Sequence, residues 1–172
     1  MSYMEIALLP KSAIRLKGKH ASIIIDPQEK AVCNAVILLR RSQVDAKIQE
    51  ESLIIKGPGD YEVGKIKIKG TRNEQEMLYS MNIDGVELLV GEIQILDKMQ
   101  HKLKEYNIVL VHCGVILSSA FLTSLASNIV VFYGEKAAEV SQTFGKDNLK
   151  TMPKFASTLE KLPQELETIL LS

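Results

Sequence analysis

The chain has 172 residues with three histidines and two cysteines, the residue types that most often bind metals or act as nucleophiles. His20, His101 and His112 each stand alone in the sequence. A metal site needs several ligands that converge on one point. His112 and Cys113 are adjacent in an apolar run, and neighbours on a strand point to opposite faces, which disfavours a nucleophilic pair. We therefore expect structural roles for the histidines, a buried thiol at Cys113, and no metal or cofactor.

Acidic side chains near the ends of apolar runs suggest acid–base chemistry as a second possibility. Asp26 closes one apolar run before Pro27, Glu92 follows another, and residues 60–62 (DYE) lie in a tight corner. The alternative interpretation is turn capping for Asp26 and solvated acids beside a packed tyrosine for the corner. The candidate pocket residues are Asp26, Asp60, Tyr61, Glu62, Glu92 and His112.

Two alternating runs each place positive charges on one face of a predicted strand. In residues 14–19 and 65–69, basic residues alternate with apolar residues or glycine. If the two strands are neighbours, the cations form one stripe that suits phosphates or an acidic partner. Lysine-rich faces also keep exposed strands soluble, and this solvated-face interpretation is favoured. The candidate anion-binding residues are Arg15, Lys17, Lys19, Lys65, Lys67 and Lys69.

The composition is that of an ordinary globular domain. Hydrophobic residues make up 46% of the chain and charged residues 24%, which is typical of one buried core. The 21 basic residues balance 21 acidic ones, so no overall field attracts nucleic acid or an anionic membrane. No membrane-spanning run or secretion signal is found, and two separated cysteines suit a reducing compartment. We expect one domain over residues 1–172, located in the cytoplasm, with no membrane association and with nucleic acid disfavoured as a partner.

Short runs of β-type residues dominate the first half of the chain, and each is bounded by Gly, Pro, Asp or Asn. Asp84 and Gly85 separate two of these runs and predict a two-residue hairpin, because a type I′ turn needs positive φ at both central residues. The predicted strands are residues 4–9, 13–16, 21–25, 35–39, 52–55, 65–69, 78–83 and 86–90.

In the second half the hydrophobic period changes to that of helices. Leu96, Met99, Leu103 and Tyr106 share one side of a helix that Asp97 helps to start. A proline at position 163 suits the first turn of a C-terminal helix with an apolar stripe. The further predicted elements are strands at 108–111 and 129–132 and helices at 119–127, 137–144 and 162–171.

Eight strands followed by alternating helices and strands predict a two-sheet sandwich with helices packed outside. Residues 57–62 (GPGDYE) form a corner before the alternating strand 65–69, and its glycines permit backbone angles that other residues adopt poorly. This order of residues resembles the middle of the short, stand-alone hydrolases of the metallo-β-lactamase fold. Ile25-Asp26-Pro27 is similar to that family's strand-ending Asp-Pro, and residues 4–18 resemble its opening hairpin. The resemblance implies an α+β class, a mixed αββα four-layer sandwich over nearly the whole chain.

The chain departs from that family where the family binds its metal ions. There a His-x-His-x-Asp-His stretch follows the fourth strand, whereas the matching residues 38–45 read LLRRSQVD. Guanidinium groups cannot bind a metal, and Asp45 is the single carboxylate of this stretch. At the other matching positions only Glu92 could serve as a ligand. The resemblance therefore implies a degenerate, metal-free member. In the family the acid that matches Asp26 supports the metal-ligand loop from behind, and without that loop the expected role of Asp26 is to cap a turn.

Three functions from different classes stay open at this point. The favoured function is that of a non-catalytic binding or scaffold protein that acts on a protein partner or on a second copy of the chain. The second is a hydrolase with an altered active site that uses Asp60, Glu62, Glu92 or His112. The third is a phosphate-binding or nucleic-acid-binding domain that uses the basic strand faces.

Overall fold

The computed structural model describes residues 3–30, 32–40, 52–117, 125–144 and 149–172. Within these residues the chain forms two sheets that pack face to face. The strands of sheet A are β1 Met4–Leu9, β2 Ala13–Lys17, β3 Ser22–Ile25, β4 Ala35–Ile37, β5 Leu53–Ile55 and β13 Lys154–Ser157. Their order is β13-β1-β2-β3-β4-β5, and β3, β4 and β5 run parallel to one another.

Sheet B combines an antiparallel meander with a parallel half. Its strands are β6 Gly59–Val63, β7 Ile66–Asn73, β8 Glu76–Ile83, β9 Val86–Glu92, β10 Ile108–His112, β11 Ile129–Tyr133, β12 Leu149–Met152 and β14 Glu167–Leu171. Their order is β12-β14-β11-β10-β9-β8-β7-β6. Neighbouring strands from β6 to β9 are antiparallel, whereas β9, β10, β11, β14 and β12 run parallel to one another.

Alternation along the strands builds the core between the sheets. In β7, Ile66 and Ile68 are buried, whereas Lys67 and Lys69 point outward. Apolar side chains from both sheets join in one buried cluster. The turn between β8 and β9 confirms the predicted hairpin, since Asp84 and Gly85 have φ of 51° and 90°.

Two helices of the described part of the chain lie on the outer face of sheet B. They are α1 Ile93–Met99 and α2 Ala137–Phe144, and their apolar sides join a second buried cluster with β9, β10 and β11. Helix α2 confirms its predicted stripe, whereas α1 begins before Asp97 and gives way to a short 3-10 turn at 100–102. Residues 119–124 of the helix expected at 119–127 lie outside the described residues, and residues 125–127 are not helical. No helix of the described part is long and apolar enough to cross a membrane.

The prediction of a C-terminal helix over 162–171 is wrong. The segment contains β14, which lies between β11 and β12 in the parallel half of sheet B. Ile169 and Leu171 face the core, and Leu170 packs against the cluster under the helices. A strand buried on both faces reads as a continuous apolar run, and such a run cannot be told from a helix by its period. Strands β6, β12 and β13 are short and largely exposed and contain few apolar residues, so the sequence pattern does not predict them.

The corner that joins the two sheets provides the first testable prediction. Gly59 begins β6 with φ of 142°, and Gly57 has open space where a Cβ would lie. Because L-residues adopt a φ in this region poorly, Gly59→Ala should lower the free energy of unfolding by about 1 kcal/mol or more in urea denaturation. Gly57→Ala is the matched control and should change it by less than about 0.5 kcal/mol. Equal effects of the two substitutions would contradict this account of the corner.

Candidate functional site

The parallel strands of both sheets lead to one edge of the sandwich. Strands β3 and β4 lead to Asp26 and Arg40, whereas β9, β10 and β11 end at Glu92, His112 and Tyr133. Arg40 acts electrostatically on all three of these sheet B residues, and Asp26 acts on Glu92 and Tyr133. Ligands of open parallel sheets commonly bind at the carboxyl ends of the strands. We call these five residues the carboxyl-end cluster.

Glu92, His112 and Tyr133 form a row across three neighbouring strands. In the strand register His112 is paired with Glu92 on one side and with Tyr133 on the other. Paired residues of neighbouring strands point to the same face, and the strands lie about 4.8 Å apart. Glu92 Oε1 lies 3.9 Å from His112 Nδ1, and the His112 and Tyr133 rings meet edge to face with centroids 5.2 Å apart.

Asp26 is the buried charge of the cluster, with an exposed fraction of 1%. Its Oδ1 accepts hydrogen bonds from the backbone N–H groups of Leu39 at 2.8 Å and Arg40 at 3.2 Å. Its Oδ2 accepts a hydrogen bond from Arg40 Nε at 3.0 Å, which also makes an ion pair. Burial raises the pKa of Asp26, and Arg40 opposes this rise. The carboxylate thus ties the segment after β4 to the end of β3.

Two glycines confine the imidazole ring of His112. A Cβ at Gly114 would lie 3.2 Å from the ring Cε1, and a Cβ at Gly134 would lie 3.1 Å from Nε2. Burial and, to a smaller extent, the positive charge of Arg40 together lower the pKa of His112 to about 4. The imidazole is therefore neutral at neutral pH. Its Nδ1 has no hydrogen-bond partner among the described residues.

The two residues that flank His112 differ in exposure. The Glu92 side chain is 22% exposed, and burial followed by the charges of Glu76 and Asp26 raises its pKa. Tyr133 is 1% exposed, and burial raises the pKa of its phenol well above the ordinary value. The Tyr133 hydroxyl, like that of Tyr79 in β8, has no hydrogen-bond partner in the described part of the chain. Solvent therefore reaches the row from the Glu92 side.

Three of the candidate pocket residues, Asp26, Glu92 and His112, thus lie together at this edge. Arg40 and Tyr133 complete the cluster, and sequence reasoning gave neither of them a role there. The available signal for Arg40 was a charged residue directly after an apolar strand. For Tyr133 the signal in the sequence was its place at the end of an apolar run, as His112 stands at the end of another. The structure shows that these two runs are neighbouring parallel strands.

The other three candidate pocket residues lie on the corner strand β6. Asp60 and Glu62 are exposed on the outer face of sheet B and are paired in register with Lys69 and Lys67. Tyr61 alternates with them and points inward, where its hydroxyl donates to the Gly57 carbonyl at 3.0 Å. The two acids therefore face away from the carboxyl-end cluster, in accord with the solvated-corner interpretation.

The two basic strands do not neighbour each other, so the condition for one continuous stripe of cations is not met. Strand β2 belongs to sheet A and β7 to sheet B, and their charged side chains point outward on opposite sides of the sandwich. Arg15 forms an ion pair with Glu5 at 3.8 Å. The lysines at 65, 67 and 69 line an open groove of about 720 Å³ that also contains Asp60, Glu62 and Glu87. The mixed charge of this groove suits a solvated face.

The side chains of the cluster that could act as metal ligands do not fit a divalent metal ion. Both oxygens of Asp26 already accept hydrogen bonds, and the nearest cation is the guanidinium of Arg40. Glu92 and His112 leave two donors, whereas metal sites in proteins use at least three protein ligands as a rule. Among the described residues, no group of three or more His, Cys, Asp or Glu side chains could hold a metal.

No protein-family model and no curated sequence matches the chain. Solved structures do match it over nearly its whole length. A proposed Zn-dependent hydrolase of the metallo-β-lactamase superfamily from Thermotoga maritima is similar with a TM-score of 0.70 and 14% identity, covering 98% of each chain. The metallo-β-lactamase fold protein YhfI from Bacillus subtilis is similar with a TM-score of 0.57 and 8% identity, covering 96% of each chain.

A proposed metal-dependent hydrolase from Parabacteroides distasonis is similar with a TM-score of 0.58 and 12% identity, covering 84% of this chain and 89% of that one. Identities this low relate the folds and leave the chemistry of each site to its own residues. The α+β class and the two-sheet architecture predicted from the sequence are confirmed. The chain adopts the metallo-β-lactamase fold.

Proposed function

We propose that this chain is a non-catalytic binding or scaffold protein built on the metallo-β-lactamase fold. The observation that carries the proposal is the ion pair between Asp26 and Arg40 at 3.0 Å. Arg40 belongs to the stretch 38–45, which the sequence resemblance matches to the metal-binding motif of the fold family. A permanently charged guanidinium in this stretch repels a metal cation and cannot act as a base.

The hydrogen bonds of the cluster support a structural role for its acidic centre. A general base needs a free lone pair within reach of a substrate. The carboxylate of Asp26 is 1% exposed and is held by three N–H groups from Leu39 and Arg40. The arrangement suits a group that fixes the backbone rather than one that exchanges protons.

A binding role implies a protein partner or a second copy of the chain. The C-terminal segment forms β14, an interior strand of sheet B next to the edge strand β12, so it offers no exposed helix for docking. The described edge strands are β5 and β13 in sheet A and β6 and β12 in sheet B. Cys33 and Cys113 form no disulfide, which supports a location in the reducing cytoplasm.

The second candidate function is a hydrolase with an altered active site. The observation that favours it is the separation of 3.9 Å between Glu92 Oε1 and His112 Nδ1 at the carboxyl ends of the strands. A carboxyl group and an imidazole at this distance approach the geometry of an acid–base pair, since such contacts can tighten when substrate binds. The reaction would need His112 to gain and lose a proton near neutral pH.

The first prediction of the proposal concerns metal. Purified protein should contain no stoichiometric zinc, iron or manganese, and EDTA should leave its melting temperature unchanged, because no metal-binding energy contributes to folding. Elemental analysis and thermal unfolding with and without EDTA provide the measurement. One metal ion per chain, lost together with stability in EDTA, would refute the proposed function and favour the hydrolase.

The second prediction concerns His112. Its pKa of about 4 in the folded chain lies below the ordinary 6.5, so the unfolded chain binds a proton first as the pH falls. Neutral His112 therefore contributes stability above pH 6.5 that is lost between pH 6.5 and 4, on the order of 3 kcal/mol in total. The raised pKa values of Asp26 and Glu92 give the opposite slope.

The difference between wild type and His112→Gln isolates the histidine from those carboxyl groups. Urea denaturation at pH 7.0, 5.5 and 4.5 should show that the wild type loses more stability than the variant as the pH falls. If both proteins have the same pH dependence, the imidazole titrates with its ordinary pKa. That outcome would favour the acid–base pair of the hydrolase candidate.

A third prediction tests the assembly. Size exclusion coupled to light scattering at tens of micromolar should show a species larger than the 19.1 kDa monomer, or affinity purification from the native cell should recover a specific protein. Either result is expected if an edge strand pairs with a second copy of the chain or with a partner protein. A strict monomer without any co-purifying protein would contradict the binding role.

A further inference from the structure

Three polar atoms of the carboxyl-end cluster are buried without a hydrogen-bond partner among the described residues. They are Arg40 Nη2, His112 Nδ1 and the Tyr133 hydroxyl. Tyr133 and His112 are 1% and 4% exposed. More than nine in ten buried polar groups in proteins are paired, so three orphaned groups in one place call for an explanation. They indicate a site whose ligand supplies the missing partners.

The kind of orphaned atom decides the kind of ligand. Arg40 Nη2 is a donor only, and a protonated phenol such as Tyr133 donates its single proton. The neutral imidazole of His112 donates through Nδ1 in one of its two tautomers. Asp26 already receives three hydrogen bonds, and Glu92 Oε1 lies 3.9 Å from His112 Nδ1, beyond hydrogen-bond distance. The unmet demand is therefore for acceptor atoms.

We propose that the carboxyl-end cluster binds the carboxylate group of a small molecule through Arg40, Tyr133 and His112. A carboxylate is an acceptor-only group with room for four hydrogen bonds, and its pairing with a guanidinium is among the stronger polar contacts. The inference rests on the proposed function and names the ligand class of the same site. In this proposal the site binds an anion, whereas the resemblance to the fold family implies a metal cation at this place.

The charges and openings of the cluster are compatible with this ligand. Asp26 and Arg40 neutralise each other as an ion pair, so the anion does not meet an uncompensated buried acid. Glu92 is the remaining acid of the cluster, and burial raises the pKa of its carboxyl group. The side chains of Arg40 and Glu92 are 16% and 22% exposed, so solvent reaches the cluster at these two residues.

Sodium formate is the smallest probe of this site. Thermal unfolding of the full chain should be followed while formate replaces sodium methanesulfonate at constant ionic strength. Wild type should show a saturable rise in melting temperature, because a ligand that binds the folded chain stabilises it by mass action. Tyr133→Phe removes one hydrogen-bond donor to a charged group and should weaken the apparent affinity about tenfold.

Tyr79→Phe is the matched control, since it also removes a buried phenol hydroxyl without a partner among the described residues. Tyr79 lies outside the row and should leave the formate response within about twofold of wild type. The absence of a saturable response in wild type, or an equal response in Tyr133→Phe and wild type, would overturn the carboxylate site.

A parallel titration with zinc chloride distinguishes failure of the carboxylate site from failure of the proposed function. No stabilisation by zinc is expected. If zinc raises the melting temperature and formate does not, both the carboxylate site and the proposed non-catalytic function are overturned. If neither probe acts, the carboxylate site is overturned while the proposed function stands.

Discussion

The burial of the Asp26 carboxylate is the constraint around which the carboxyl-end cluster is arranged. A charge that is 1% exposed must be matched by donors, and here all three come from Leu39 and Arg40. The charge therefore determines the path of the chain directly after β4, and it places a guanidinium opposite the ends of β9, β10 and β11. Removing one partner of such a buried pair costs about 3–5 kcal/mol, since the other charge is left uncompensated.

The residues that stabilise the fold are largely different from the residues that form this edge. The sheets are held together by a cluster of apolar side chains, and the helices are held to sheet B by a second one. Of the five residues of the carboxyl-end cluster, Tyr133 belongs to the first apolar cluster, and the other four are polar side chains outside both apolar clusters. A fold of this kind can exchange one site chemistry for another while its layers stay intact. The structures that share this fold with the chain are only 8 to 14% identical to it.

The elements predicted correctly from the sequence are those that depend on residues close together in the chain. The hairpin at Asp84 and Gly85 follows from the positive φ that a tight turn requires, and β7 follows from strict alternation of isoleucine and lysine. The stripe of α2 follows from its helical period. The segment around β14 misled because its apolar residues are buried on both faces, between a core and a helical layer that lie elsewhere in the chain.

By itself, the sequence determined the alternation of most strands, the corner at Gly59 and the lack of histidine in residues 38–45, since each depends on neighbours within a few positions. Only the tertiary structure decided which polar groups meet. Asp26 pairs with Arg40 fourteen residues later, and both face a row contributed by three strands of the other sheet. Strand order and register create these contacts. Periodicity does not encode them, because it reports which face of a strand is buried and not which strand lies opposite.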